Sequence, residues 1–113
     1  MNWEELKNIE GLNNIDEESA KAPVVIFKHS TRCSISAAAH DRLERKWDDA
    51  NHPASKAYYL DLIQYREVSN EITNRYGIEH QSPQVLVIDN GNCVYDASHL
   101  GISYGDVSEK LMS

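Results

Sequence analysis

The chain has 113 residues, 41% of them hydrophobic, with 18 acidic residues against 11 Lys and Arg and a formal net charge of -7. Scattered basic residues in so acidic a chain argue against a nucleic-acid-binding surface, since phosphate contacts need clustered positive charge. Two cysteines are too few for a disulfide scaffold and no apolar stretch approaches a membrane span; with the acidic start Asn2-Trp3-Glu4-Glu5, unlike a secretion signal, this leads us to expect one cytoplasmic domain over residues 1–113 with reduced thiols and no membrane partner.

Trp3, Leu6 and Ile9, then Leu12 and Ile15, repeat at helical spacing broken by Gly11 and Asn13-Asn14. One or two short helices packed as an N-terminal extension are expected. Pro23 leads into Val24-Val25-Ile26-Phe27, whose near-continuous apolar character is that of a central strand covered on both faces. A helix is expected from Ser34 to about Asp48, with Ile35, Ala38, Ala39, Leu43 and Trp47 on one face, ending before Asn51-His52-Pro53. Ala57 to Asp61 reads as a second strand parallel to the first. Tyr65, Val68, Ile72 and Tyr76 mark a further helix closed by Gly77 in a left-handed cap.

An extended connector, Ile78 to Ser82, enters Pro83 and a third strand, Gln84 to Ile88. Asp89-Asn90-Gly91-Asn92 is a strong hairpin signal, so Cys93 to Ala97 should return antiparallel. Ser103 to Asp106 suits the start of a last helix carrying Val107 and Leu111 inward. The expected order is β-α-β-α-β-β-α, a central four-stranded mixed sheet with a short N-terminal extension.

The chemistry concentrates at His29-Ser30-Thr31-Arg32-Cys33-Ser34-Ile35-Ser36, between the first core strand and its helix. A cysteine at such a bend meets unpaired backbone N–H groups and the positive end of a helix dipole, with Arg32 beside it. Both favour the thiolate, and comparable settings bring a cysteine pKa from about 8.5 to roughly 3.5–7.5. Buried cysteines are more often inert small hydrophobes, but Ser30, Thr31, Arg32, Ser34 and Ser36 suit a partly exposed turn and favour a reactive Cys33. Three positions on stands Ser36, so the Cys-x-x-Cys redox pattern appears as Cys-x-x-Ser: an attacking sulfur without a neighbouring resolving thiol. In the expected topology Cys93 lies at the hairpin end, about 17 Å of strand away, beyond the roughly 7 Å that bridged Cα atoms allow. It is read as a core or strand-start residue. His29 either modulates the thiolate or is a histidine packed at a strand end. A metal site at His29 and Cys33 would lack two ligands, so no metal is expected.

The element order, with Lys28 to Ser36, Tyr58-Tyr59-Leu60, Tyr76-Gly77-Ile78 and His80-Gln81-Ser82-Pro83-Gln84, resembles the monothiol bacilliredoxin family, YtxJ-like proteins of thioredoxin-like fold, over nearly the whole chain. That family usually reads Thr-Cys-Pro-Ile-Ser where this chain has Arg32 before the cysteine and Ser34 in place of the proline. The resemblance implies a monothiol thiol-disulfide oxidoreductase in which catalytic Cys33 removes bacillithiol from protein mixed disulfides. It further implies a cis Ser82-Pro83 bond facing the cysteine. Thr31, Arg32, Ser34, Ser36, Ser82 and Pro83 are expected to contact the substrate or thiol. Ser98 and His99 are either ligand contacts or a plain loop cap. No permanently bound cofactor is implied; bacillithiol would be a co-substrate, and the partners would be S-bacillithiolated clients, a small thiol and a reductase. Alternatives are a non-catalytic docking or stress-associated module and a thiol redox sensor.

Overall fold

The computed structural model describes residues 3–30, 34–46 and 56–112, the side chains of residues 35, 100 and 112 excepted. In chain order the elements are β1 (Trp3–Glu5), α1 (Ile9–Ser19), β2 (Val24–His29), α2 (Ser34–Lys46), β3 (Lys56–Asp61), α3 (Arg66–Tyr76), β4 (Gln84–Asp89), β5 (Asn92–Ser98) and α4 (Tyr104–Met112). The strands form one five-stranded sheet in the order β1-β3-β2-β4-β5. β1 and β2 flank β3 in parallel, while β4 runs antiparallel to both β2 and β5.

The expected four-stranded sheet is therefore one strand short. The N-terminal extension contributes β1, whose Trp3, Glu4 and Glu5 pair with Ala57, Tyr58 and Tyr59. Three residues, two of them glutamates, carry no alternation that would betray a strand; the exposed edge of β3 recruits them, and Leu6 N–H continues the ladder by donating to the Tyr59 carbonyl at 2.8 Å. The next segment is one helix, α1, running through Gly11 and Asn13-Asn14. Asn8 caps it by accepting from Gly11 N at 2.8 Å. Gly11 lies close to Leu6: a Cβ there would come within 2.7 Å of the Leu6 Cδ1 atom, so that side chain would have to shift.

Alternation along β2 divides the interior. Val24 and Ile26 face Leu12 and Ile15 of α1 and Val68 and Ile72 of α3, with Tyr58, Leu60, Leu86 and Ile88 completing that core. Val25 and Phe27 face Ala39 and Leu43 of α2 and Val107 and Leu111 of α4, with Val85 and Val87. All six β2 residues are buried, which the apolar run foreshadowed up to Phe27 but not at Lys28 and His29. The face of α2 is rotated from the expected one: Ser36, Ala39 and Leu43 point inward and Ala38 is exposed. The expected members Ile35 and Trp47, and the expected end at Asp48 before Pro53, lie outside the described residues.

Turn chemistry behaves as read. Gly77 ends α3 with φ 69°, and the hairpin after β4 has φ 51° at Asn90 and 75° at Gly91, the doubly positive pattern of a two-residue hairpin. The C-terminus of α1 secures that hairpin, since Gly91 N–H donates to Ser19 Oγ at 2.9 Å. The helices α1 and α3 are tied by Asp16, which accepts from Tyr76 Oη at 2.6 Å and from Arg75 at 3.1 Å. No helix among the described residues is long and apolar enough to cross a membrane. Tyr76→Phe removes one of the two bonds to Asp16 and is expected to cost about 1 kcal/mol in urea denaturation, with an unchanged m-value because the exposed surface on unfolding is the same.

Candidate active site

The ends of four strands meet at one edge of the sheet. β2 leaves at His29, whose Cα partner in β3 is Asp61; β4 enters at Gln84 opposite Lys28; β5 leaves at Ser98 opposite Gln84. The antiparallel register thus sets Pro83 and Ser82 beside the end of β2, and His99 N–H donates to the Pro83 carbonyl at 3.1 Å. The Ser82-Pro83 bond is cis and Pro83 is buried. His99 is exposed with φ 54°, a left-handed conformation that turns the chain into α4. Ser82, Pro83, Ser98 and His99 accordingly gather with His29, Ser30, Ser34 and Ser36 around one edge. Thr31, Arg32 and Cys33 lie outside the described residues; Ser30 and Ser34 bound them in the chain.

Ser36 departs from the partly exposed position expected of it. It is fully buried, and its Oγ lies 2.6 Å from His29 Nδ1 and accepts from Ser30 N–H at 3.1 Å. Helical register explains this, since Ser36, Ala39 and Leu43 fall on one face at intervals of three and four. The hydroxyl clasps the end of β2 to the first turn of α2 across residues 31–33. Ser34, by contrast, is exposed.

His29 is buried and its ring lies 5.2 Å from that of Tyr59, 5.7 Å from His40 and 6.2 Å from Phe27. Burial pushes its pKa below the usual histidine range and His40 pushes the same way, partly opposed by Asp61. At neutral pH His29 is therefore an uncharged imidazole with Nδ1 engaged by Ser36 Oγ. His40, which sequence reasoning passed over, is the centre of an aromatic cluster with Trp3 at 5.0 Å, Phe27 at 5.1 Å and Tyr59 at 5.5 Å. Its pKa is also lowered by burial, and its Nε2 is sealed without a hydrogen-bond partner. Only its helical spacing from Ser36 and Leu43 could have indicated its inward position.

The second cysteine occupies the far edge. Cys93 pairs with Ile88, which is level with Val24 at the opposite end of β2; six strand residues lie between those ends, roughly 17–20 Å. Its thiol donates to the Tyr95 carbonyl at 3.3 Å and it packs against the core. Burial pushes its pKa up to about 11, so it is a protonated thiol at neutral pH and a poor nucleophile. Among the described residues no group of three or more His, Cys, Asp or Glu could hold a metal ion.

Lys28 is the residue that the apolar run concealed. It is completely buried on the α1 and α3 side, its Nζ has no hydrogen-bond partner, and burial brings its pKa down to about 8. Period-two alternation from Val24 and Ile26 would have placed it on that face.

This architecture, a mixed sheet between two helical layers with a cis proline entering β4 beside the end of β2, defines a protein of thioredoxin fold. A provisionally assigned oxidoreductase with a thioredoxin fold superposes with a TM-score of 0.79 at 28% identity, covering 94% of this chain and 90% of that one. Thioredoxins from Fasciola hepatica (TM-score 0.73, 16% identity, 96% of this chain and 95% of that one) and Malassezia sympodialis (0.77, 14%, 99% and 92%) share the fold. The family model described as Monothiol bacilliredoxin BrxC matches residues 4–107, and the chain belongs to that family.

Two outcomes follow from the charges at this edge. His40→Gln removes a like charge facing His29 and is expected to raise the His29 pKa, read from its ring proton shifts in an NMR titration; an unchanged value would show that the two rings do not interact. Lys28→Met removes an ammonium whose pKa falls from 10.5 unfolded to about 8 folded. The unfolded chain binds the extra proton between those values, so the cost is complete below pH 8 and is relieved as pH rises to 10.5. The variant should be more stable than the parent by about 3 kcal/mol at pH 7, with the difference closing by pH 10.5 in denaturant titrations.

Proposed function

We propose that this protein is a monothiol thiol-disulfide oxidoreductase of the cytoplasm that removes bacillithiol from protein mixed disulfides through Cys33. Family membership over residues 4–107 supports the redox chemistry. The observation that carries the monothiol reading is the placement of Cys93, protonated and level with the start of β2, while His29, Ser30, Ser34, Ser82 and Pro83 gather at the end of that strand.

In the proposed step the Cys33 thiolate attacks the bacillithiol sulfur of the client. The client sulfur leaves as a thiolate and takes up a proton, and a Cys33–bacillithiol disulfide remains. With no second sulfur at this edge among the described residues, discharge falls to another small thiol or to a reductase, which attacks the new disulfide and returns Cys33 to its thiolate. Ser36 does not resolve it, because a hydroxyl is no nucleophile toward sulfur and this one is engaged with His29 and Ser30. Its part is to tie the first turn of α2 to the end of β2. Thr31, Arg32, Ser34, Ser82, Ser98 and His99 are proposed to line the approach of client and thiol, the Ser82 backbone pairing with an extended client segment.

Purified protein treated with oxidised bacillithiol should gain one adduct by intact-mass spectrometry, lost in Cys33→Ser and kept in Cys93→Ser. Reduced protein should then strip bacillithiol from a modified client in the same cysteine-dependent manner. Absence of the adduct from Cys33, a need for Cys93 in turnover, or an adduct that forms but is never taken from a client would each overturn the reading, the last in favour of a sensor.

A further inference from the structure

The reaction above uses neither member of the His29 and His40 pair. Their rings lie 5.7 Å apart, one on β2 and one on α2, too close for both to carry charge without mutual cost. What surrounds them differs. His29 is buried, and Ser36 Oγ occupies its Nδ1 at 2.6 Å. Asp61 stands level with it on β3, but that carboxylate accepts from Ile63 N–H at 3.1 Å and Gln64 N–H at 3.3 Å in the turn that follows. His40 is half-buried, with Nδ1 3.7 Å from the Glu44 carboxylate one turn along the same helix. Its ring packs on Trp3 of β1, Phe27 of β2 and Tyr59 of β3, aromatic neighbours that favour a cation. Burial opposes charge on both rings. Beyond that, His40 opposes and Asp61 and Ser36 favour a charged His29, whereas Glu44 and Asp41 both favour a charged His40. His40 is therefore the ring that charges first.

The state of His29 matters because of Ser36. That hydroxyl accepts from Ser30 N–H at 3.1 Å, so its own hydrogen is the one available to a neutral Nδ1. A proton on Nδ1 displaces this hydrogen, which among the described residues has no other acceptor in the interior. We propose that His40 is a positioning residue acting through His29: it takes up the first proton to reach the cluster, pairs with Glu44, and by its charge keeps His29 in the neutral form that holds Ser36. The end of β2 and the first turn of α2, which Cys33 connects in the chain, then stay tied into mild acid. The bearing on transfer rests on Cys33 being the reacting sulfur; the coupling of the two histidines does not.

Two measurements on the full chain test this. His40→Phe keeps a ring in the cluster and removes its charge, and Glu44→Gln, at an exposed position, removes only the carboxylate and serves if the first variant fails to fold. In the first measurement, histidine ring protons and backbone amides are followed by NMR as the pH is lowered. In the parent and in Cys33→Ser alike, His40 should titrate before His29, and the Ser30 and Ser36 amides should move with His29. In His40→Phe the ratio of charged to neutral His29 at a given acid pH should rise about tenfold, the effect of removing a unit charge about 6 Å away at an effective dielectric constant of about 40. Glu44→Gln should act in the same direction and more weakly. The proposal is overturned if His29 titrates first, if neither variant moves its titration, or if the two amides do not follow it. In the second measurement, adduct formation on Cys33 with oxidised bacillithiol is timed at about pH 5.5 and about pH 7.5. The ratio of the acid rate to the neutral rate should fall several-fold in His40→Phe, and an unchanged ratio would leave His40 a packing residue alone. If Cys33 takes no adduct, the transfer reading fails while the ring titration still decides the coupling.

Discussion

The antiparallel pairing of β2 with β4 is the constraint on which this molecule's chemistry depends. With Val24 against Ile88 and Lys28 against Gln84, the end of one strand is held beside the beginning of the other, and residues more than fifty positions apart become neighbours. Ser30 and Ser34, which bound Cys33, are brought to the edge that Ser82 and Pro83 enter. The same register carries β5 back to deliver Ser98 and His99, and it leaves the hairpin and Cys93 at the other edge. A slip by one residue would exchange the two faces of the sheet, turning Lys28 toward α2 and Phe27 toward α3.

Two consecutive residues of β2 then serve opposite sides of the sheet. His29 faces α2, where Ser36 grips its Nδ1 and the ring joins His40 and Tyr59. Lys28, by strand alternation with Val24 and Ile26, lies on the α1 and α3 side, buried and with its ammonium unpartnered. Both sit in positions that an apolar side chain would fill at lower free energy. One is kept neutral by burial and by a neighbouring histidine, and the other remains largely protonated at pH 7 despite its burial because its pKa of about 8 lies above that pH. Polar groups left inside a strand end are places where local stability gives way to other demands.

The N-terminal region shows how tertiary context overrides local pattern. Trp3 to Glu5 is too short and too acidic to announce a strand, and becomes one only because β3 offers an open edge. Gly11 and the Asn13-Asn14 pair look like a helix break, yet α1 runs through them: Asn8 caps its start, and Leu12 and Ile15 find a core to enter. In α2 the apolar positions suggested a face through Ala38, whereas the helix turns Ser36 inward because His29 and Ser30 supply a small polar hydroxyl with partners.

Residue order alone was enough for the alternation of strands and helices, the proline before the third core strand, the glycine that ends α3 and the two-residue hairpin. Each depends on local physics: side-chain period, backbone freedom at glycine, restriction at proline. Tertiary structure decided what local rules cannot reach, namely that Ser36 faces the interior, that His40 meets His29, that β1 joins the sheet, and that the Lys28 ammonium is buried without a partner. These depend on which strand edge is left open and on packing between residues distant in the chain, and such quantities exist only once the register is set.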